Sequence, residues 1–133
     1  MTAPFIVIGT HKIKPGKREV FKNYFAQFSS DVVEPAEPRL HSFYGYAAPD
    51  SEYVTVVQVH PDADSMTTHM KVGVEHFATA YAEYLEPESN MQIYGDLTED
   101  LIRAISAAAQ TQDDASSVPI REPFAGFNRL PPS

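Results

Sequence analysis

From Phe5 to Lys12 the chain is rich in β-branched residues, and the run stops at Lys14-Pro15-Gly16. That pattern predicts a strand followed by a turn that opens a helix. From Lys17 to about Val33 the period changes to that of a helix. Phe21, Tyr24, Phe25, Phe28 and Val32 fall within one arc of roughly 100°, opposite Glu19, Lys22, Asn23 and Ser30. Pro35 and Pro38 end this amphipathic helix.

Arg39–Ala48 and Glu52–His60 are predicted as two strands joined by Pro49-Asp50-Ser51, a link that suits an antiparallel hairpin. After Pro61, the stretch Asp62-Ala63-Asp64-Ser65 offers a capping carboxylate to a long helix over Ser65–Leu85, with Pro87 as its stop. Asn90–Leu97 reads as a fourth strand. A last helix is expected from the cap Thr98, through the acids Glu99 and Asp100, to Ala109. The order is β-α-β-β-α-β, which predicts an α+β, ferredoxin-like domain with a four-stranded antiparallel sheet.

Two segments follow from this pattern. Residues 1–109 form the ferredoxin-like domain with its short C-terminal helix. Residues 110–133 form a linker and an extended tail: Gln110–Ser117 is small and polar, whereas Val118–Ser133 holds prolines together with Phe124, Phe127 and Leu130. Those apolar side chains need a surface, either on their own domain or, as an arm, on a partner subunit.

Composition narrows the function classes. A formal net charge of -8 argues against nucleic acid and against an anionic membrane surface. The chain has no cysteine, which removes disulfides, thiolate nucleophiles and Cys-ligated metals. Its N-terminus has no basic region or long apolar run, so a cytoplasmic location is expected. Gly-rich phosphate loops, His-x-x-x-His pairs and Gly-x-Ser-x-Gly elbows are all missing.

On the long helix, His69, Gly73, His76 and Ala80 line up within about 60°, beside an apolar arc of Met66, Met70, Phe77, Tyr81 and Tyr84. An unbroken helix would separate His69 and His76 by roughly 10 Å, too far for two ligands of one metal. No metal site is expected. Either histidine edges a core as a structural group or faces a cavity as a proton acceptor. In the second strand, alternation places Arg39, His41 and Phe43 on one face and Leu40, Ser42, Tyr44 and Tyr46 on the other, with Tyr94 meeting either set. Strands apolar on both faces suit a sheet covered by helices on one side and by a second sheet on the other, which predicts a homodimer or higher homo-oligomer. His11 and His60, at strand ends, are expected to be exposed.

The strand ending in Lys14-Pro15-Gly16-Lys17, the aromatic first helix, the hairpin, and Asp64-Ser65-Met66 leading to His69 and His76-Phe77 resemble the antibiotic biosynthesis monooxygenase type of dimeric α/β barrel. The chain differs from better-defined members in having no tryptophan and in the seven-residue spacing of its two helix histidines. The resemblance implies a dimeric barrel with a small aromatic molecule bound between helices and sheet. It implies His69 and His76 as catalytic residues, with Tyr24, Phe28, Tyr44, Tyr46, Phe77, Tyr81 and Tyr94 as substrate contacts. The leading expectation is a cofactor-independent monooxygenase, with no cofactor and no metal, acting on a phenol, quinol or polyketide-like aromatic. A non-oxidative isomerase or cyclase on the same scaffold, and a non-catalytic ligand-binding or assembly protein, are the alternatives.

Overall fold

The computed structural model describes residues 3–109 and 120–129. Strand β1 (Phe5–Ile13) leads into α1 (Arg18–Phe28), which continues through a wider π turn (Ser29–Val33) into the short α2 (Glu34–Ala36). The hairpin β2 (Ser42–Tyr46) and β3 (Tyr53–His60) precedes α3 (Ala63–Val72) and α4 (Val74–Glu83). Strand β4 (Leu85–Tyr94), helix α5 (Glu99–Ala109) and a two-residue β5 (Ile120–Arg121) complete the chain.

The sheet order is β2-β3-β1-β4-β5. The four longer strands are antiparallel to their neighbours, the arrangement of a ferredoxin-like α+β fold, and the sheet is open, with β2 and β5 at its edges. Four strands were expected. The fifth comes from the segment expected to be an extended tail: Ile120 and Arg121 lie parallel to Ile93 and Tyr94, and Gly95 N–H donates to the Arg121 carbonyl at 2.9 Å. Beyond them Phe124 and Phe127 are exposed. The linker 110–117, Val118 and Leu130 lie outside the described residues.

Period-two alternation gives the sheet two distinct faces. On the helix-covered face, Phe5, Val7 and Ile13 of β1 are buried. Phe5, Val7 and Ile93 pack with Met66 of α3 and Leu101 of α5, while Ile13, Val54 and Leu85 pack with Phe21 of α1 and Ala80 of α4. On the other face, cross-strand rows align Ser42–Val59–Ile6–Tyr94, Tyr44–Val57–Ile8–Gln92 and Tyr46–Thr55–Thr10–Asn90. There Ile6, Ile8, Val57 and Val59 stay partly open, and Tyr44 and Tyr46 are exposed.

Two helices depart from the expected regularity. The long helix breaks at Gly73, whose N–H still donates to the His69 carbonyl at 2.9 Å and whose own carbonyl accepts from Phe77 N–H at 2.9 Å. A Cβ at Gly73 would stand 3.2 Å from the His69 carbonyl and 3.3 Å from the Phe77 ring, so a side chain there would have to displace one of them by a few tenths of an ångström. In the first helix regular α geometry ends at Phe28 rather than Val33. Pro35 has no N–H for residue 31 and its ring crowds that carbonyl; the π turn makes room for it.

Strand boundaries also move. Strand β4 starts at Leu85, not Asn90, and contains Pro87, which was expected to end the preceding helix; that helix has already ended at Glu83. Pro87 falls where the β1–β4 register shifts between His11 and Ile13, so its missing N–H removes no ladder bond. Strand β2 is confined to Ser42–Tyr46 because Arg39 turns away to pair with Asp62. The expected caps are present: Asp62 accepts from Ser65 N–H at 3.1 Å, and Thr98 accepts from Leu101 N–H at 3.2 Å.

A candidate site of paired histidines and stacked rings

His69 sits in the middle of α3 on the face pressed against the sheet, 1% exposed. Its partner is Glu37, which is buried just after α2 and held between Pro35 and Pro38. Both carboxylate oxygens lie near His69 Nδ1, Oε1 at 3.0 Å and Oε2 at 2.8 Å. A carboxylate only accepts, so Nδ1 carries the proton, and in the neutral imidazole the lone pair is then on Nε2. Phe43 and Phe77 flank the imidazole, with ring centroids 5.3 and 6.3 Å away.

His60 closes β3, and its ring centre lies 5.9 Å from that of His69. It was expected at the surface; it is fully buried, because the β3 alternation that turns Val54 inward also turns Gln58 and His60 inward. Its Nε2 donates to Gln58 Oε1 at 3.0 Å, and its Nδ1 accepts from the Ser65 hydroxyl at 2.8 Å. Burial, and then the neighbouring His69, lower its pKa to about 3, so His60 is a neutral, fixed wall of the site.

His76, one bend further along on α4, stacks on Phe28 with centroids 3.5 Å apart and planes 8° apart. It also lies parallel to Tyr24, at 4.8 Å and 5°. Two rings parallel to His76 at those distances cannot share one side of it without overlapping, so Tyr24 and Phe28, one helical turn apart on α1, hold it between them. Burial, and then His69, lower the His76 pKa to about 4. Its Nδ1 is buried with no hydrogen-bond partner among the described residues. Phe77 touches both histidines at its edges, which joins the stack to the Glu37–His69 pair.

The remaining expected contacts divide. Tyr81 is on the covered side but belongs to a separate pair: its hydroxyl is 3.0 Å from His11 Nδ1. His11, expected to be exposed, is half-buried, and burial lowers its pKa to about 4 while raising that of Tyr81. Tyr44, Tyr46 and Tyr94 lie on the opposite face of the sheet, with Tyr94 under the Arg121 guanidinium at 5.4 Å. The structure therefore brings Tyr24, Phe28, His69, His76 and Phe77 together and sets the three strand tyrosines apart.

The sequence pattern did not assign Glu37, Phe43, Gln58, His60 or Ser65 to the site. The available signals were an acid locked between two prolines and two polar residues on the inward face of a Val-rich strand. Among the described residues no three His, Asp or Glu side chains gather as metal ligands, and no helix is long and apolar enough to cross a membrane.

No protein-family model matches the chain. No curated protein matches it either. Solved structures do. MupZ from Pseudomonas fluorescens superposes with a TM-score of 0.70 at 15% identity, over 97% of this chain and 91% of that one. A candidate antibiotic biosynthesis monooxygenase from Caulobacter crescentus CB15 gives 0.57 at 19% identity, over 69% of this chain and 88% of that one. Another, from Chloroflexus aurantiacus J-10-fl, gives 0.51 at 15%, over 67% and 90%. The shared feature is the fold. It is the ferredoxin-like α+β architecture of these proteins, and the MupZ likeness extends over nearly the whole chain.

Proposed function

We propose that the chain is a cofactor-independent monooxygenase for a small phenol or quinol, with His69 as its general base and Glu37 as the residue that orients it. The observation that carries this reading is the buried Glu37 carboxylate on His69 Nδ1 inside an aromatic interior. Holding Nδ1 as a donor leaves Nε2 to take the phenolic proton, and the carboxylate stabilises the imidazolium that results. Phe43 and Phe77 keep water away from the phenolate and so favour its reaction as a carbon nucleophile. A ring carbon that bears hydrogen, para to the oxygen in a phenol and ortho to it in a hydroquinone, then bonds to molecular oxygen, giving a hydroperoxide after protonation. Loss of that carbon's proton and cleavage of the O–O bond release one water and leave a quinone. The substrate loses four electrons, and oxygen takes up all four. The names of two fold neighbours agree with this class of chemistry.

The same reading includes a homodimer. The rows centred on Ile6, Ile8, Val57 and Val59 form an apolar sheet face that suits a second copy. A non-catalytic ligand-binding or assembly role is the second reading, favoured by the way the chain's own rings fill the space between α1 and α4.

Oxygen consumption with 1-naphthol and simple hydroquinones is the test. The native protein should consume oxygen with quinone as product, and Glu37→Gln and His69→Ala should each lower the rate by about 10²–10⁴-fold. Consumption no faster than in buffer would reject the oxidase chemistry. Turnover under nitrogen to a product of the same composition as its substrate would assign an isomerase or cyclase instead.

A further inference from the structure

We infer that the slot between Tyr24 and Phe28 is a binding site for one flat, conjugated ring of the substrate, and that His76 is the side chain that fills it when no ligand is bound. The inference rests on the site described above, but on a different part of it from the Glu37–His69 pair.

The geometry of the slot is specific. Phe28 and Tyr24 present parallel faces to opposite sides of the imidazole, tilted from it by 8° and 5°. Their ring centres lie 3.5 and 4.8 Å from that of the imidazole between them, a gap that holds one layer of aromatic thickness. A saturated ring is puckered and thicker, so the slot selects planarity.

His76 is a poor permanent occupant. Its Nδ1 is buried without a hydrogen-bond partner among the described residues, and its imidazole is held neutral. A carbocyclic ring in the same place would leave no polar atom unpaired, and His76 turned out of the slot would regain water as a partner. Gly73, where α3 gives way to α4, separates the turn that carries His76 from the one that carries His69. Phe77 borders both the slot and His69, so a ring seated between Tyr24 and Phe28 lies one side chain away from the base.

Binding measured in oxygen-free buffer tests this without turnover, using tyrosine fluorescence of the tryptophan-free chain. Native protein and a His76→Ala variant are titrated with 1-naphthol and with its saturated counterpart decahydro-1-naphthol. Emptying the slot should tighten 1-naphthol binding on the order of tenfold and leave the saturated alcohol unaffected. His76→Leu, which refills the slot with non-planar bulk, should bind 1-naphthol more weakly than the alanine variant. Adding Phe28→Leu to His76→Ala should abolish the preference for the flat ring. Equal affinities of native and His76→Ala proteins, or no preference for the flat ring, would overturn the slot. Should His76→Ala not fold, proton NMR of the native protein decides. The His76 ring protons, shifted upfield by two stacked neighbours, should return toward ordinary values as 1-naphthol is added, and no movement would reject the exchange. Planar binding that persists while oxygen consumption is absent would retain the slot and remove only the monooxygenase.

Discussion

The two faces of one sheet solve opposite problems. The covered face buries polar groups and gives several of them partners, Glu37 with His69, Gln58 and Ser65 with His60, Tyr81 with His11, while His76 Nδ1 is left over. On the open face isoleucine, valine and tyrosine stand among a few polar residues, where Thr10 and Thr55 share a hydroxyl bond at 3.0 Å and Arg121 lies over Tyr94. The difference teaches that burial and chemistry are separate uses of the same alternating pattern. The inward residues specify a site, and the outward ones specify a surface that gains from being covered.

The largest effect should come from splitting the buried pair. Glu37→Leu leaves His69 without its acceptor and should cost about 3–5 kcal/mol in urea denaturation. The double replacement Glu37→Leu with His69→Phe should recover most of that loss, since two apolar groups need no partner. No loss of stability in the single variant would mean that the pair does not hold α3 to the α2 turn.

Acid should act next. The folded protein holds His60 at about 3 and His11 and His76 at about 4, against 6.5 in the unfolded chain. Between those values the unfolded chain binds more protons, so stability is complete above pH 6.5 and falls as the pH drops toward 4. Melting temperatures recorded from pH 7.5 to 4 should decline through that window. A flat profile would contradict the burial of these imidazoles. Ser65→Ala, which leaves His60 Nδ1 unpaired, should cost about 1–3 kcal/mol, and Asp62→Ala, which removes the α3 cap, about 1 kcal/mol; both are read from denaturation midpoints.

The smallest effect on the fold should come from the other face. Ile8→Lys should change the stability of a separated subunit by no more than about 0.5 kcal/mol, yet shift the mass found by sedimentation from two chains to one. A native protein that sediments as one chain across the micromolar range would remove the need for a covering partner.

Much of the scaffold was legible because its periods are strong. Val54 to Val59 and Phe5 to Ile8 are fixed by β-branched alternation, and the α1 stripe by its phenylalanines. The failures have local causes. Gly73 sits on a helical stripe, and nothing in that stripe reveals that Phe77 will close over it. Pro87 signals a helix stop in one dimension, whereas in three it occupies a register shift. Of the site, the aromatic and histidine members were visible as a face of a helix. Glu37 was not, since its partner is 32 residues away and only the fold brings them together.

Gly95 links two parts of the molecule that no pattern would connect. Its φ of +135° is open to glycine alone, and a Cβ there would stand 2.7 Å from the ring of Phe5, at the heart of one apolar cluster. The same residue's amide holds Arg121. Any side chain at this position would therefore both wedge apart the first strand's anchoring ring and loosen the late-arriving fifth strand, so a single hydrogen atom in place of a methyl group keeps the beginning and the end of the chain in register.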